Sequence, residues 1–139
     1  MPDLILRTID DTLALGSRLG REAIAGQVIA LTGGLGTGKT HLTKGIMAGL
    51  GGDPDMVSSP TFALVQEYRT GRLPVFQFDF YRMETMDEVL AIGWDEYSEG
   101  GGVCVVEWAD LFSELLPKDA VWWCLKLDAH GERRASNGS

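Results

Sequence analysis

The first half of the chain alternates helical and strand-like apolar patterns. Residues 10–25 carry apolar side chains at helical spacing, and Asp10 or Asp11 is placed to cap the start of that helix. Residues 27–33 form a continuous apolar run, which is typical of a strand covered on both faces. Residues 39–51 have leucine and isoleucine at fourfold spacing before two glycines, which predicts a second helix.

The second half continues this alternation and adds a hairpin. Residues 62–81 contain two runs with period-two alternation, separated by a turn near Thr70 and Gly71. The remaining predicted elements are an edge strand over residues 3–9, one or two short helices over 83–102, a buried strand over 102–108, a short helix over 110–117 capped by Asp110, and a final strand over 119–130. The pattern predicts an α/β fold, with a mostly parallel sheet flanked by helices and an inserted antiparallel hairpin.

Length and composition indicate one acidic domain. The 139 residues fit a single domain over residues 1–130, and the polar, aperiodic residues 131–139 predict a frayed tail. No apolar run is long enough to span a bilayer, and the acidic N-terminal residues do not fit a signal peptide, so we expect a cytoplasmic protein without membrane contact. Cys104 and Cys124 lie in apolar runs and are expected to be buried free thiols.

The charge balance bears on nucleic-acid binding. Twelve Lys and Arg residues stand against twenty Asp and Glu residues, for a net charge of −8, and the basic residues are scattered. A protein that grips RNA or DNA alone normally presents a basic stripe to the phosphates. We therefore expect any contact with nucleic acid to be indirect.

A glycine-rich segment between a predicted strand and a predicted helix carries the clearest chemistry. Residues 33–40, GGLGTGKT, match the phosphate-binding pattern G-x-x-x-x-G-K-[ST] in full. Glycine lets the backbone turn and present N–H groups to phosphate oxygens, and the helix adds the positive end of its dipole. Lys39 would reach the β- and γ-phosphates of a nucleotide, and the Thr40 hydroxyl would bind Mg²⁺. The residues predicted to line this phosphate loop are Gly33, Leu35, Gly36, Thr37, Gly38, Lys39 and Thr40.

Two acids end predicted strands and are candidates for the metal side of the site. Asp79 ends an alternating run, and Glu107 ends an apolar run, where an acid is costly unless it faces a site. Either acid could bind Mg²⁺ or orient an attacking water, and the pattern leaves open which does so. Thr61, in the loop after the second helix, occupies the position of a switch segment that answers the γ-phosphate. Together with the phosphate loop, these features predict a P-loop NTPase-like domain.

Four motifs, read in order, resemble one family. The segments GGLGTGKTHLTKGI, VSSPTFALVQEY, FQFDFYRM and CVVEWAD, at these separations, are similar to those of the bacterial TsaE (formerly YjeE) family of tRNA threonylcarbamoyladenosine biosynthesis ATPases. The resemblance covers about Asp10 to Asp128. It implies a cytoplasmic protein that binds ATP and Mg²⁺ and works with the TsaD and TsaB subunits. Their product is N6-threonylcarbamoyladenosine at position 37 of tRNAs that read codons starting with A. The resemblance also implies that ATP hydrolysis resets the complex, while the partners hold the tRNA and this protein transfers no group to it.

The resemblance assigns roles to individual residues. The phosphate binders would be Gly36, Gly38 and Lys39, and the metal ligands would be Thr40, Asp79 and Glu107. Residues near the nucleotide would include Thr61, Trp108 and Arg133, and the catalytic set would be Lys39, Asp79 and Glu107. The chain departs from the family pattern at three positions: Gly34 replaces a usual acid, His41 a common Thr or Ser, and Gln77 a common His.

Two other functions fit a phosphate loop. A small P-loop metabolite kinase would normally carry an Arg-bearing lid, but residues 83–102 are acidic and contain no Arg or Lys. A nucleotide-gated protein-binding module would use residues 81–100, with their Met, Trp and Tyr, as a docking face for a partner. A GTPase is disfavoured because the chain has no N-K-x-D element for reading guanine.

Overall fold

A single seven-stranded sheet organises the protein. The computed structural model describes residues 3–34, 38–57 and 65–138. The strands are β1 (Leu4–Leu6), β2 (Val28–Thr32), β3 (Val65–Tyr68), β4 (Val75–Asp79), β5 (Val103–Glu107), β6 (Val121–Leu127) and β7 (Arg133–Asn137). Their order across the sheet is β1-β7-β6-β2-β5-β4-β3.

The centre of the sheet is parallel and its edges are antiparallel. β2 pairs in parallel with both β5 and β6, and β4 pairs in parallel with β5. β3 closes one edge antiparallel to β4, and β7 lies antiparallel between β6 and β1. The predicted α/β class, the inserted hairpin and the N-terminal edge strand are therefore confirmed.

Four α-helices and three 3₁₀ helices complete the described part of the chain. The α-helices are α1 (Ile9–Glu22), α2 (Lys39–Gly49), α3 (Met86–Ala91) and α4 (Trp94–Ser98). The 3₁₀ helices are Pro54–Met56, Phe80–Arg82 and Ala109–Leu115. No helix in the described ranges has the length and apolar character needed to cross a membrane.

Two predicted helix caps were wrong. The N-cap of α1 is Thr8, whose hydroxyl accepts from the Asp11 N–H at 3.1 Å, while the Asp11 carboxylate accepts from the Thr8 N–H at 3.2 Å. Asp11 thus supports the cap from the first turn of α1 and does not form it. Asp110 likewise lies inside the Ala109–Leu115 helix, and the cap position before that helix belongs to Trp108.

Alternate residues of the central strands feed two hydrophobic layers. One layer joins Ile29 and Leu31 of β2 to α1 and α2, and it includes Leu42 and Ile46. The layer on the other face centres on aromatic residues, among them Phe78, Phe80 and Trp94. Cys104 is buried in that second layer, whereas Cys124, also a free thiol, is only half-buried.

The helices α1 and α2 touch backbone to backbone. A Cβ on Gly16 would lie 2.3 Å from the Leu42 carbonyl oxygen, and one on Gly45 would lie 2.5 Å from the Leu13 carbonyl oxygen. Gly20 and Gly49 repeat this close approach one turn further along each helix. The two helices can pack this closely because these four positions carry no Cβ atom.

The prediction of a frayed tail from residue 131 was wrong. Residues 133–137 form β7, which is hydrogen-bonded on both sides, and Ala135 is fully buried. The Asp128 carboxylate turns the chain into β7, because it accepts from the N–H groups of His130 at 2.8 Å and Glu132 at 3.0 Å. Ordered structure therefore extends well past the predicted domain boundary at residue 130.

Candidate functional site

The phosphate loop begins and ends at glycines that no other residue could replace without strain. Gly33 has φ 127°, and a Cβ there would lie 2.0 Å from the Leu125 carbonyl oxygen of β6. Gly38 has φ 101° and forms the N-cap of α2 in the left-handed region. Leu35, Gly36 and Thr37 lie outside the described residues, so their predicted phosphate contacts stay predictions.

Lys39 is held at the start of α2 by the loop itself. Its side chain is almost fully buried, and Nζ donates to the carbonyl oxygens of Gly33 at 2.9 Å and Gly34 at 2.7 Å. Burial lowers the pKa of Lys39, and the negative charges of Glu107 and Asp79 oppose that shift. The ammonium group therefore donates to two neutral carbonyl groups, and the charges of both predicted metal-side acids act on it.

Asp79 and Glu107 are brought together by strand register. They are direct partners across the parallel pair of β4 and β5, and Glu107 is also the partner of Leu31 near the end of β2. Both acids thus stand at the edge of the sheet from which the phosphate loop departs. The sequence prediction that each acid ends a strand is confirmed, the pairing of those two strands is a finding of the structure, and the roles of the acids remain predictions.

The surroundings of the two acids differ. Glu107 is 7% exposed and accepts from Gln77 Nε2 at 3.1 Å; burial raises its pKa, and the Gln77 hydrogen bond partly offsets this. Asp79 is less enclosed: it accepts from the Tyr81 N–H at 3.1 Å and lies 3.5 Å from Arg82 Nε. Burial is the largest cause of a raised pKa at Asp79 as well.

The donor set in this part of the structure suits a hard divalent cation. Asp79 and Glu107 supply carboxylate oxygens, and Thr40 lies in the first turn of α2. Burial raises the pKa of both acids, and a bound cation would favour their charged forms. Among the described residues there is no cluster of three or more His, Cys, Asp or Glu side chains able to hold a metal alone. A cation here would therefore need a bound phosphate or water to complete its ligands.

Trp108 takes an unusual backbone conformation to reach the site. It has φ 58° and ψ 39°, and it is the one non-glycine residue of the described ranges with positive φ. This turn after β5 brings its ring centroid within 4.6 Å of Lys39 Nζ and 4.9 Å of the Tyr81 ring centroid. Trp108 therefore lies beside Lys39, and its predicted place next to a nucleotide stays a prediction.

Arg133, the first residue of β7, lies against Gly38 at the end of the phosphate loop. Its Cδ and Nε both lie 3.7 Å from the position that a Cβ on Gly38 would take. The Nε atom is buried and has no hydrogen-bond partner within the part of the chain that the structure describes. The structure therefore places Arg133 at the loop, and its predicted contact with a nucleotide stays a prediction. Thr61 falls outside the described residues.

Sequence reasoning missed the residues that support Glu107. Gln77 was noted only as a departure from a family pattern, yet its side chain is fully buried and bonds Glu107 directly. Tyr68 donates to Gln77 Oε1 at 2.8 Å. The signal available was positional, because Gln77 lies two residues before Asp79 in β4 and so faces the same side of the sheet.

These features define a class: an α/β protein with a mostly parallel central sheet flanked by helices, a glycine-rich loop between β2 and α2, and two acids at the ends of β4 and β5. A family model described as threonylcarbamoyl adenosine biosynthesis protein TsaE matches residues 6–135. The chain belongs to the TsaE family.

Individual relatives agree with this assignment. The chain is 43% identical to the tRNA threonylcarbamoyladenosine biosynthesis protein TsaE of Bacillus subtilis, over 96% of this chain and 84% of that protein. It is 37% identical to the protein of the same name from Treponema pallidum, over 93% of this chain and 94% of that protein. The crystal structure of YdiB from Bacillus subtilis superposes with a TM-score of 0.80 at 34% identity, covering 98% of this chain and 83% of that one.

Proposed function

We propose that this protein is a Mg²⁺-dependent ATPase that serves tRNA threonylcarbamoyladenosine biosynthesis. Membership of the TsaE family connects the chain with that pathway. The finer proposal is that it binds and hydrolyses ATP in the cytoplasm, in contact with TsaD and TsaB. Hydrolysis would reset that complex after each modification of adenosine 37, and the tRNA would be held by the partners, consistent with a net charge of −8.

The position of Lys39 carries the proposal. A buried ammonium group bonded to Gly33 and Gly34 carbonyls is already located where the loop curves towards α2. In this arrangement Lys39 needs no large movement to exchange carbonyl oxygens for phosphate oxygens. A lysine serving only the fold would not require two acids on neighbouring strands to share its surroundings.

Each described residue has a distinct task in this proposal. Lys39 binds the β- and γ-phosphates, and Arg133, whose buried Nε has no hydrogen-bond partner among the described residues, adds a second positive charge beside Gly38. Thr40, Asp79 and Glu107 would hold Mg²⁺, which when bound neutralises charge on the transferred phosphoryl group. One of the two acids orients the attacking water, and Glu107, being the more enclosed, is held in place by Gln77. Trp108 covers the ammonium side of the site.

The direct test is nucleotide binding and turnover with a matched pair of variants. Calorimetry should detect Mg²⁺–ATP binding by the native protein and its loss in Lys39→Ala, whereas Lys44→Ala, on the same helix outside the loop, should bind normally. Reconstitution with TsaD, TsaB and tRNA should form the modified base with native protein only. Normal binding and turnover by Lys39→Ala would overturn the proposal.

An alternative is a nucleotide-gated binding module in which hydrolysis is incidental. Large apolar side chains are exposed next to the site and on α3, namely Tyr81 at 62%, Met86 at 39% and Leu90 at 41%, as a docking face would require. Glu107→Ala separates the two functions if it binds ATP without cleaving it. The module would still support repeated cycles of modification with that variant, and the ATPase would stop after the first.

A further inference from the structure

A buried chain of hydrogen bonds connects the outer hairpin strand to Glu107. The Tyr68 hydroxyl, at the end of β3, donates to Gln77 Oε1 at 2.8 Å, and Gln77 Nε2 donates to Glu107 Oε2 at 3.1 Å. The hydroxyl also contacts the side-chain amide of Gln66. The chain thus crosses three adjacent strands, β3, β4 and β5, within one layer of the sheet.

The polar groups of this chain are buried within the hydrophobic layer. Gln77 is fully buried and Tyr68 is 5% exposed, and both Tyr68 and Val75, the neighbouring position on the same face of β4, belong to the hydrophobic core. A buried amide is costly unless both its donor and its acceptor are used. At Gln77 both are used, and one of the two partners is an ionisable group of the candidate site.

The two ends of the Gln77 amide are not interchangeable here. An ionised carboxylate can only accept, so Glu107 must face the NH₂ group of Gln77. This leaves the amide oxygen for Tyr68, whose hydroxyl donates to it at 2.8 Å. Tyr68 therefore satisfies the far end of the amide, and the amide in turn restrains the carboxylate.

We propose that Gln77 is a positioning residue for Glu107, held at its other end by the Tyr68 hydroxyl. The proposal rests on the proposed Mg²⁺–ATPase function and specifies how one of its acids is held. With Oε2 engaged by Gln77, Glu107 keeps Oε1 available for the metal side of the site, and its side chain loses less rotational freedom on binding. A histidine at this position would also place an N–H donor in the strand.

The experiment compares variants that remove each link. Gln77→Leu removes both hydrogen bonds with little change of volume, and Tyr68→Phe removes only the hydroxyl at the far end of the chain. Val75→Ala is the control for general damage to the core, because it lies on the same strand and face; its cross-strand partners are Tyr68 and Val103, not Glu107. Gln77→His tests rescue by a different N–H donor. For each protein we would measure ATP affinity with and without Mg²⁺, kcat, KM, Tm and a crystal structure.

The expected result is a loss specific to the metal-dependent step. Gln77→Leu should lower kcat about tenfold and reduce the Mg²⁺-dependent gain in ATP affinity about fivefold, with affinity in the absence of Mg²⁺ within twofold of native. Tyr68→Phe should give a smaller loss of the same kind, Gln77→His should recover most of it, and Val75→Ala should lower only Tm. In the Gln77→Leu crystal structure the Glu107 carboxylate should leave its native position.

Two other outcomes are informative in different ways. If Gln77→Leu alters kcat and metal-dependent affinity no more than Val75→Ala does, and Glu107 stays in place, the positioning proposal is overturned. If the native protein neither binds nor cleaves Mg²⁺–ATP, the ATPase proposal fails, and the crystal structures alone still decide whether Gln77 positions Glu107.

Discussion

Lys39 and Trp108 face each other across the candidate site, with Nζ 4.6 Å from the centroid of the indole ring. The contact joins the first residue of α2 to the residue that follows β5 in the left-handed region. Because Nζ is also bonded to two loop carbonyls, the ring supplies the face of the ammonium that the loop leaves open. The ring thereby fixes the lysine without placing a competing negative charge beside it.

Replacing this ring tests its contribution to nucleotide affinity. A cation–π contact is worth about 0.5–2 kcal/mol, or roughly 2- to 30-fold in a binding constant. We expect Trp108→Leu to weaken Mg²⁺–ATP binding by that factor relative to Trp108→Phe, which keeps an aromatic face. Calorimetric titration of both variants checks this, with Tm as the control for folding. Equal affinity of the two variants would show that the ring only fills space.

Glu107 should make stability depend on pH in a defined direction. Because burial raises its pKa in the folded state above the ordinary value of 4.5, the folded protein holds that proton more tightly than the unfolded chain does. Ionised Glu107 therefore destabilises the fold at pH values above its raised pKa, and this effect vanishes below 4.5. Glu107→Gln should accordingly unfold at higher urea concentration than native protein near neutral pH, with the difference shrinking as the pH is lowered.

The measurement is urea unfolding of metal-free protein at several pH values between about 4 and 8. Glu114→Gln serves as the control, since Glu114 is exposed in the 3₁₀ helix after the site. A difference between native protein and Glu107→Gln that stayed constant with pH would mean that the Glu107 carboxyl is not destabilised by its burial.

The glycines between α1 and α2 should be intolerant of a single added methyl group. In an ordinary exposed helix, Gly→Ala stabilises by up to about 1 kcal/mol. At Gly16 the new Cβ would meet the Leu42 carbonyl oxygen at 2.3 Å, so the two helices would have to separate. We expect Gly16→Ala to destabilise the protein by about 1–3 kcal/mol.

Thermal and urea unfolding of Gly16→Ala give this value directly. Ala14→Gly, at an exposed position of α1, is the matched change in the opposite direction and should cost only about 1 kcal/mol by helix propensity. A stabilised Gly16→Ala protein would contradict the observed backbone contact between the two helices.

Sequence predicted those strands in which the order of apolar and polar side chains follows from their burial. The continuous apolar run of β2 and the alternation of β4 both identified strands, since side chains there meet a core on one or both faces. β7 was missed because its residues are RRASN, where Ala135 alone is fully buried and the strand is held mainly by backbone hydrogen bonds to two neighbours. Such a strand has no side-chain periodicity from which sequence could predict it.

The residues of the candidate site also divide into those that sequence predicted and one that it missed. Lys39 was found because it completes the pattern G-x-x-x-x-G-K-[ST], and Asp79 and Glu107 because each ends a predicted strand. Trp108 was found through the family resemblance. Gln77 was missed because an amide in an alternating strand is ordinarily solvent-facing, and nothing in its own neighbourhood shows that β3 and β5 enclose it. Its partners Tyr68 and Glu107 lie 9 and 30 residues away in sequence, and only the order of the strands brings them together.

The first two glycines of the phosphate loop should respond oppositely to the same substitution. Gly33 combines φ 127° with a Cβ position 2.0 Å from the Leu125 carbonyl oxygen, so Gly33→Ala should lose about 2–5 kcal/mol of stability and most of its ATP affinity. A Cβ on Gly34 would meet no atom within 4 Å among the described residues, and Gly34 has no φ in the left-handed range, so we expect alanine to fit there. Gly34→Ala should stabilise the protein by about 0.4–1 kcal/mol by restricting the unfolded chain. It should also tighten Mg²⁺–ATP binding up to about fivefold, because the carbonyl that accepts from Lys39 is retained and alanine at residue 34 loses less backbone freedom on binding. Calorimetry and urea unfolding of the two variants test this prediction. Equal losses of stability and ATP affinity in both variants would contradict it, and would mean that residue 34 must be glycine although a Cβ fits there.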